Sequence, residues 1–303
     1  MIQKVAQSPV TEQKRINTGG TNEVYMIKTE SGKGFVVRIA LNLNHTRHEE
    51  EKWALDQCLS QGISVPKVKL LDKIKRNNEK YSVCIESRLP GETFSDKLGE
   101  LSESQKNELL NQSGVILSKI HSIPVKGFGQ FDENGKAQYS SAQELLNDPY
   151  LRKEKMFKIA DSVSLDPAII RRALEIKDRG ISSVSHIKPM LIHNDFDPKN
   201  ILVEKGKVTG VIDFEMAEGG DPVHDLAKWH FFQKNRLTVD EIIKGYTNKK
   251  IFSEDYNKRF NLWRLYEGLK NLVWVFQEKD EKGIEFAKRE ITNDVNYYNE
   301  HLS

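Results

Sequence analysis

The stretch that most restricts this chain runs from Leu191 to Phe214, LIHNDFDPKNILVEKGKVTGVIDF. Its short apolar runs, Leu191–His193, Ile201–Val203 and Val208–Phe214, are too brief for helices and read as strands or ribbons flanking a polar loop. The loop His193–Asn200 is therefore held on rigid flanks, and a second acidic residue, Asp213, closes the last run. A fold containing this segment needs a small β insert inside whatever else the chain forms.

The rest of the sequence supplies two kinds of surroundings. Residues 14–40 read as strand, glycine turn, strand, turn, strand, with Val24-Tyr25-Met26-Ile27, a Ser31–Gly34 turn and Phe35-Val36-Val37-Arg38-Ile39. A helix is expected from His48 to Leu59, where Leu55, Cys58 and Leu59 make an apolar stripe and Gly62 supplies a stop. Val65–Leu71 and Tyr81–Glu86 read as two more strands joined by a polar turn over Lys73–Lys80. At Arg88-Leu89-Pro90-Gly91 the strand pattern gives way to long helical segments, which places a boundary between residues 1–88 and 89–303. Ser102 and Gln105 form a capping box ahead of a helix to about His121, Asp166-Pro167 opens another over Ile169–Ile176, and Thr238 with Glu241 a third.

Composition removes several functions. The chain has 303 residues, with Lys+Arg 46 against Asp+Glu 44 and a net charge of +2. A duplex-binding protein would carry a clear basic excess, because phosphate neutralisation supplies most of its affinity, so no nucleic-acid partner is expected. No run approaches the roughly 18 apolar residues of a membrane span, and the amino terminus MIQKVAQSPV lacks a signal-peptide core, so a cytoplasmic location is expected. Cys58 and Cys84 lie in apolar contexts without CxxC spacing and read as reduced, partly buried thiols.

The chemistry follows from the loop. An H-x-D-x-x-x-x-N segment followed by an apolar strand ending in Asp is the arrangement phosphoryl transfer requires. The transition state is loose and heavily charged, so one carboxylate must stand near the attacking hydroxyl and oxygen ligands must hold Mg²⁺. Asp195 is the candidate catalytic residue, accepting or orienting the hydroxyl proton, and Asn200 and Asp213 are candidate metal ligands. His193 reads as a brace that bonds the backbone. A turn rich in Asp and Asn often makes only local hydrogen bonds, but loop, spacing, strand and second Asp together favour the catalytic reading.

On these residues the chain resembles the aminoglycoside phosphotransferase family, the small-molecule branch of the protein kinase-like fold. The resemblance implies an α+β, two-lobed architecture: a five-stranded antiparallel N-terminal sheet with one helix, above a larger, mostly helical C-terminal lobe, with ATP or GTP in the cleft. The family's nucleotide loop is similar to Thr18-Gly19-Gly20-Thr21-Asn22-Glu23-Val24-Tyr25, which assigns Gly19, Gly20, Thr21 and Asn22 to phosphate, although a glycine pair also makes ordinary hairpins. Arg38 stands where protein kinases carry the phosphate-binding lysine, and a guanidinium can serve there. Its partner is expected at Glu51, which points inward with Ala54, Leu55 and Cys58, with Glu50 as second choice and Glu49 on the surface. Glu86–Gly91 matches the hinge, where the backbone of Ser87 and Leu89 would bond the purine. Gly220–Ala227 resembles the family's D-P-x-x-D-L-A element, which makes Asp225 a brace that caps a helix and bonds the catalytic loop. Asp197 occupies the position of a lysine common in protein kinases, which argues against protein substrates.

The implied substrate is a small hydroxyl compound, an aminoglycoside-type antibiotic first, with a macrolide or a metabolite such as a sugar or amino alcohol as alternatives; a nucleotide-binding module without turnover is the reading from another class. Lys126–Asp132 with Tyr139-Ser140-Ser141, and Arg264–Leu272, are similar to the hygromycin B phosphotransferase branch. Glu215, Glu218 and Glu267 are candidate carboxylates for a polycationic substrate, with Trp263, Tyr266 and Trp274 as apolar walls, although aromatics at this spacing also make core.

Overall fold

The fold was taken from a computed structural model that describes residues 1–16, 22–40, 46–76 and 79–302. A short helix α1 (Ile2–Ala6) precedes three strands, β1 (Val10–Ile16), β2 (Asn22–Thr29) and β3 (Gly34–Ala40). Helix α2 (His48–Ser60) follows, then β4 (Val68–Arg76) and β5 (Glu79–Ser87). All pairings are antiparallel and the order is β1-β2-β3-β5-β4, which is the expected five-stranded sheet.

Strand periodicity sorts its two faces. Phe35, Val37 and Ile39 of β3 join Val83 and Ile85 of β5 in a cluster under α1. One residue out of phase, Arg38 pairs with Cys84 across the strands, and Val36 with Glu86, so these side chains face the opposite side. There α2 buries Ala54, Leu55 and Cys58. Both cysteines are free and buried, and burial pushes each thiol up to about 12.

Beyond the sheet come β6 (Glu92–Thr93), α3 (Phe94–Lys97) and the long α4 (Glu103–Ile120), opened by a complete Ser102/Gln105 capping box. Next are β7 (Phe128–Phe131), β8 (Ala137–Tyr139), α5 (Ala142–Leu146), α6 (Lys153–Ser162) and α7 (Pro167–Val184). The insert forms β9 (Met190–Ile192), β10 (Ile201–Glu204), β11 (Lys207–Val211) and β12 (Glu218–Gly220). Helices α8 (Val223–Gln233), α9 (Val239–Gly245), α10 (Tyr256–Gln277) and α11 (Glu281–His301) complete the chain. No described helix is long and apolar enough to cross a membrane.

Several expectations need correction. The polar stretch Lys73–Lys80 is largely strand, with Lys73 opposite Ser82 and Ile74 opposite Tyr81, because an exposed hairpin is held by its backbone ladder and needs no apolar alternation. Strand β4 starts at Val68 rather than Val65, and α7 runs past Ile176 to Val184. Thr238 caps α9 through the Asp240 N–H, while Glu241 pairs with Lys244, so the reciprocal half of a capping box is missing. The expected ribbon at Leu191–His193 is β9, but it lies in a sheet β8-β7-β12-β9 whose other strands carry no apolar run: all are short, and β7 and β12 contain glycine.

Helices α4 and α9 pack so closely that a Cβ at Gly245 would overlap the Asn111 carbonyl, and one at Gly114 the Ile242 carbonyl. Alanine gains about 1 kcal/mol of helix propensity over glycine, but overpacking costs about 1–3 kcal/mol or more. Gly245→Ala is expected to be net destabilised and to unfold at lower denaturant. A midpoint at or above wild type would show that the two helices separate freely.

Candidate active site

The loop after β9 is fixed from below. Asp225, in the first turn of α8, accepts from the His193 N–H at 2.8 Å through Oδ2 and from the Asn194 N–H at 2.7 Å through Oδ1. His121 Nε2, at the end of α4, lies 2.9 Å from the same carboxylate, and the Tyr246 hydroxyl is 2.9 Å from His121 Nδ1. Burial alone would push the Asp225 carboxyl up, but the bond and charge of His121, with the contribution of His193, outweigh it and hold the group below its usual range. Asp225 thus bonds the loop but does not cap its own helix. Asp221 accepts the Val223 N–H there, and Arg259 engages its carboxylate.

Inside the loop, His193 is fully buried and donates from Nε2 to the Ile212 carbonyl at 3.1 Å, while its Nδ1 accepts the Asp195 N–H at 3.3 Å. Its ring lies 4.4 Å from that of Phe214. Asn194 takes φ 55°, which turns the chain so that the Asp195 carboxylate emerges with a quarter (25%) of its side chain exposed. Asp197 and Pro198 start a short 3₁₀ turn, Asp197 accepting the Lys199 N–H at 3.1 Å and the Gln233 amide at 2.6 Å. That turn brings Asn200 back: its Nδ2 donates to the Asp195 carbonyl and to Asp195 Oδ2, each at 2.9 Å. The expected strand over Val208–Phe214 stops at Val211, and the Ile212 N–H bonds the Asn200 carbonyl at 2.9 Å, so the segment that carries Asp213 is tied to the loop.

Asp213 has left-handed dihedrals, φ 66° and ψ 66°, and its Oδ1 lies 4.0 Å from Arg38 Nη1. Arg38 is buried and ion-paired with Glu51, with Glu86 at 3.5 Å. The other oxygen of Glu51 accepts the Phe214 N–H at 3.1 Å, so one helix carboxylate joins the sheet cation to the Asp213 segment. Arg47 adds a second link, donating to the Glu215 carbonyl at 3.0 Å.

These carboxylates crowd one another. Burial, followed by the charge of Glu51, raises Asp213; burial raises Glu86 against the pull of Arg38; burial with Asp213 and Glu51 pushes Glu215 up to about 7. Negative charge exceeds what Arg38 neutralises, and the donors are hard oxygens, which fits a divalent cation such as Mg²⁺. Among the described residues no group of three or more His, Cys, Asp or Glu could hold a metal by itself.

The remaining expected residues divide. Ser87 ends β5 with its N–H on the Lys67 carbonyl at 2.9 Å, and the Leu89 side chain packs toward Gly210 of β11. Asn22 opens β2 opposite Ala40; Gly19, Gly20 and Thr21 lie outside the described residues. Glu215 lies two residues past Asp213, whereas Glu218 is buried between β7 and β9. Glu267 is not turned to a cleft: it is buried against His224 Nε2 at 2.8 Å, Lys270 at 3.2 Å and Lys228 at 3.5 Å, and despite burial the two lysines and His224 hold it well below its usual range. Trp263 and Tyr266 are core, and of the expected walls only Trp274 is exposed, at 54%. Sequence reading missed Lys199, whose Nζ lies 3.1 Å from Asp195 Oδ2, and the His121–Tyr246 support. The i,i+4 spacing of Asp195 and Lys199 was the available signal for the first.

The sheet above a mostly helical part is the protein kinase-like fold. The chain belongs to the phosphotransferase enzyme family, whose model matches residues 12–253. Among characterised proteins, hygromycin-B 4-O-kinase of Escherichia coli is 26% identical over 208 residues, which cover 67% of this chain and 57% of that protein. The chain therefore aligns with little more than half the length of that relative. Among solved structures, the apo form of a thermostable mutant of aminoglycoside phosphotransferase APH(4)-Ia superimposes with a TM-score of 0.77 at 20% identity, covering 100% of this chain and 99% of the other. A ternary complex of such a mutant with AMP-PNP and hygromycin B gives 0.76 at 20% identity, covering 95% and 94%. The gentamicin complex of APH(2")-IIa gives 0.62 at 16% identity, covering 96% and 93%. The sheet above a mostly helical part is their fold.

Proposed function

We propose that this chain transfers the γ-phosphoryl group of ATP or GTP to a hydroxyl of an aminoglycoside-type antibiotic, hygromycin B being the first to test. The observation that carries the reading is the chain of contacts that joins Asp195 to Asn200, Asn200 to the segment bearing Asp213, and that segment to Glu51 and Arg38. The hygromycin kinase relative and the hygromycin B complex of a fold neighbour support the substrate class.

In this reading residues 1–88 form the nucleotide lobe and residues 89–303 the lobe bearing the reactive groups. The Gly19–Asn22 segment and Arg38 hold phosphate oxygens, with Glu51 fixing the guanidinium, and the backbone of Ser87 and Leu89 meets the purine. Asp195 orients the acceptor hydroxyl and takes its proton. His193 and Asp225 keep Asp195 in place. Asn200 and Asp213 would hold Mg²⁺, which neutralises phosphate oxygens when bound.

Glu215 is the carboxylate best placed to meet a cationic substrate. Its carboxyl titrates at about 7, so it is neutral below that pH and charged above it. The KM of a polycationic acceptor is expected to fall between pH 6 and 8, and Glu215→Gln to raise KM at pH 8 by about fivefold while flattening this dependence. An unchanged pH profile in the variant would remove Glu215 from the substrate site. For the activity itself, expression in a susceptible bacterium is expected to raise resistance to hygromycin B or another aminoglycoside, and Asp195→Ala to abolish the gain. Unaltered susceptibility to the whole class would favour a metabolic acceptor.

A further inference from the structure

Lys199 has no part in the reading above, yet it is the cation ion-paired to the reacting carboxylate. The 3₁₀ turn Pro198–Asn200, capped by Asp197, throws its side chain back over the loop, and Nζ lies 3.1 Å from Asp195 Oδ2. Asn200 Nδ2 approaches the same oxygen at 2.9 Å. The other nearby cations already have a place. Arg38, the first phosphate cation of this reading, stands on the sheet between Glu51 and Glu86, and Arg47 donates to the carbonyls of Glu215 and Ala217. Lys228 donates to the Asn194 carbonyl at 2.6 Å and pairs with buried Glu267 behind the loop. Lys199, by contrast, keeps 58% of its side chain exposed on a flexible four-carbon stem.

The charge that develops during transfer lies on the three equatorial oxygens of the phosphoryl group, and the attacking hydroxyl stands between that group and Asp195. A lysine paired with Asp195 on a flexible, exposed stem has therefore only to swing from the carboxylate to meet those oxygens. We infer that Lys199 is a second cationic residue of the transfer step: paired with Asp195 in the resting site, it turns to the phosphoryl oxygens when nucleotide is bound. The inference rests on the phosphotransferase reading. In the step the acceptor oxygen bonds the γ-phosphorus, and the bond from that phosphorus to the β,γ-bridging oxygen breaks with its electron pair leaving on the nucleoside diphosphate. The hydroxyl proton passes to the Asp195 carboxylate. Lys199 stays protonated throughout, and its departure from Oδ2 exposes that oxygen to the acceptor. An ordinary i,i+4 surface pair would contribute almost nothing to turnover.

The test compares Lys199→Met and Lys199→Arg with wild type in the full chain. With Met, kcat is expected to fall about 10²–10³-fold, the scale for removing one group that stabilises developing charge, while KM for ATP and the unfolding midpoint stay near wild type. Arg is expected to recover a large part of kcat. A second readout needs no acceptor: wild type should bind ADP more tightly with aluminium fluoride, a planar phosphoryl mimic, and Lys199→Met should lose that gain. A Met variant with kcat within about threefold of wild type, or one that keeps the fluoride gain, overturns the role of Lys199. A wild type showing neither transfer to any acceptor nor a fluoride gain overturns the phosphotransferase reading instead.

Discussion

Asp195→Ala is expected to lower phosphoryl transfer by about 10²–10⁴-fold, the range assigned to a positioned acid or base, while ATP binds as well as before or slightly better. The two effects separate because of where the carboxylate sits. Asp195 is reached through a loop of the helical part and is partly exposed, whereas Arg38 and Glu51 belong to the sheet and its helix. Removing one negative charge from a cluster in which burial, and then neighbouring carboxylates, already raise Asp213 and Glu215 relieves repulsion toward phosphate. Fold stability should change little, because Asn200 retains the Asp195 backbone carbonyl as an acceptor. Rapid-mixing kinetics with equilibrium nucleotide binding would check both. Transfer persisting near the wild-type rate would remove Asp195 from the proton step, and lost ATP binding would mean that it shapes the nucleotide site instead.

The second large effect concerns stability. Asp225→Ala is expected to cost about 3–5 kcal/mol of unfolding free energy, because it strands the His193 and Asn194 N–H groups and His121 in a fully buried place. Asp225→Asn keeps the shape but turns one acceptor oxygen into a donor, so it should fall between alanine and wild type. The pH dependence has a definite sign. The folded-state carboxyl is held below its ordinary value, so its contribution is present above the unfolded pKa of about 3.9 and is lost as pH falls through the lower folded value. The stability gap between wild type and Asp225→Asn should therefore be widest near neutrality and narrow in acid. A gap that grows toward acid would mean that the carboxylate is not stabilised by these partners. Activity should fall with stability, because the donors left unpaired are those that place the loop bearing Asp195.

What could be read from the residues alone was what local chemistry dictates. The loop from His193 to Asn200 and the apolar run that contains Asp213 carry residue types that phosphoryl transfer needs at fixed spacing, and β3 announces itself by its apolar run. Glu51 could be preferred to Glu50 because helical phase turns it inward, and it lies 2% exposed against Arg38. Features set by tertiary packing were not legible. Glu267 looks like any helical carboxylate in sequence, and only the approach of His224, Lys228 and Lys270 makes it part of the core. Trp263 donates to Asp221 and stacks on His224 rather than lining a pocket. The sheet built from β7, β8, β9 and β12 has no apolar alternation to reveal it, since Gly129, Gly219 and Gly220 stand where side chains would have made a pattern. His121 could be seen as the end of a helix, but its bond to Asp225 joins residues far apart in the chain.

Transfer of the γ-phosphoryl group to a hydroxyl of a small antibiotic can be followed by incubating the purified chain with Mg²⁺ and ATP or GTP labelled in the γ-phosphate, alongside a panel of aminoglycosides including hygromycin B, macrolides and hydroxylated metabolites, and tracing the label. The expected result is label on an aminoglycoside, absent with Asp195→Ala. Folded wild-type protein that moves no label to any member of the panel would contradict it.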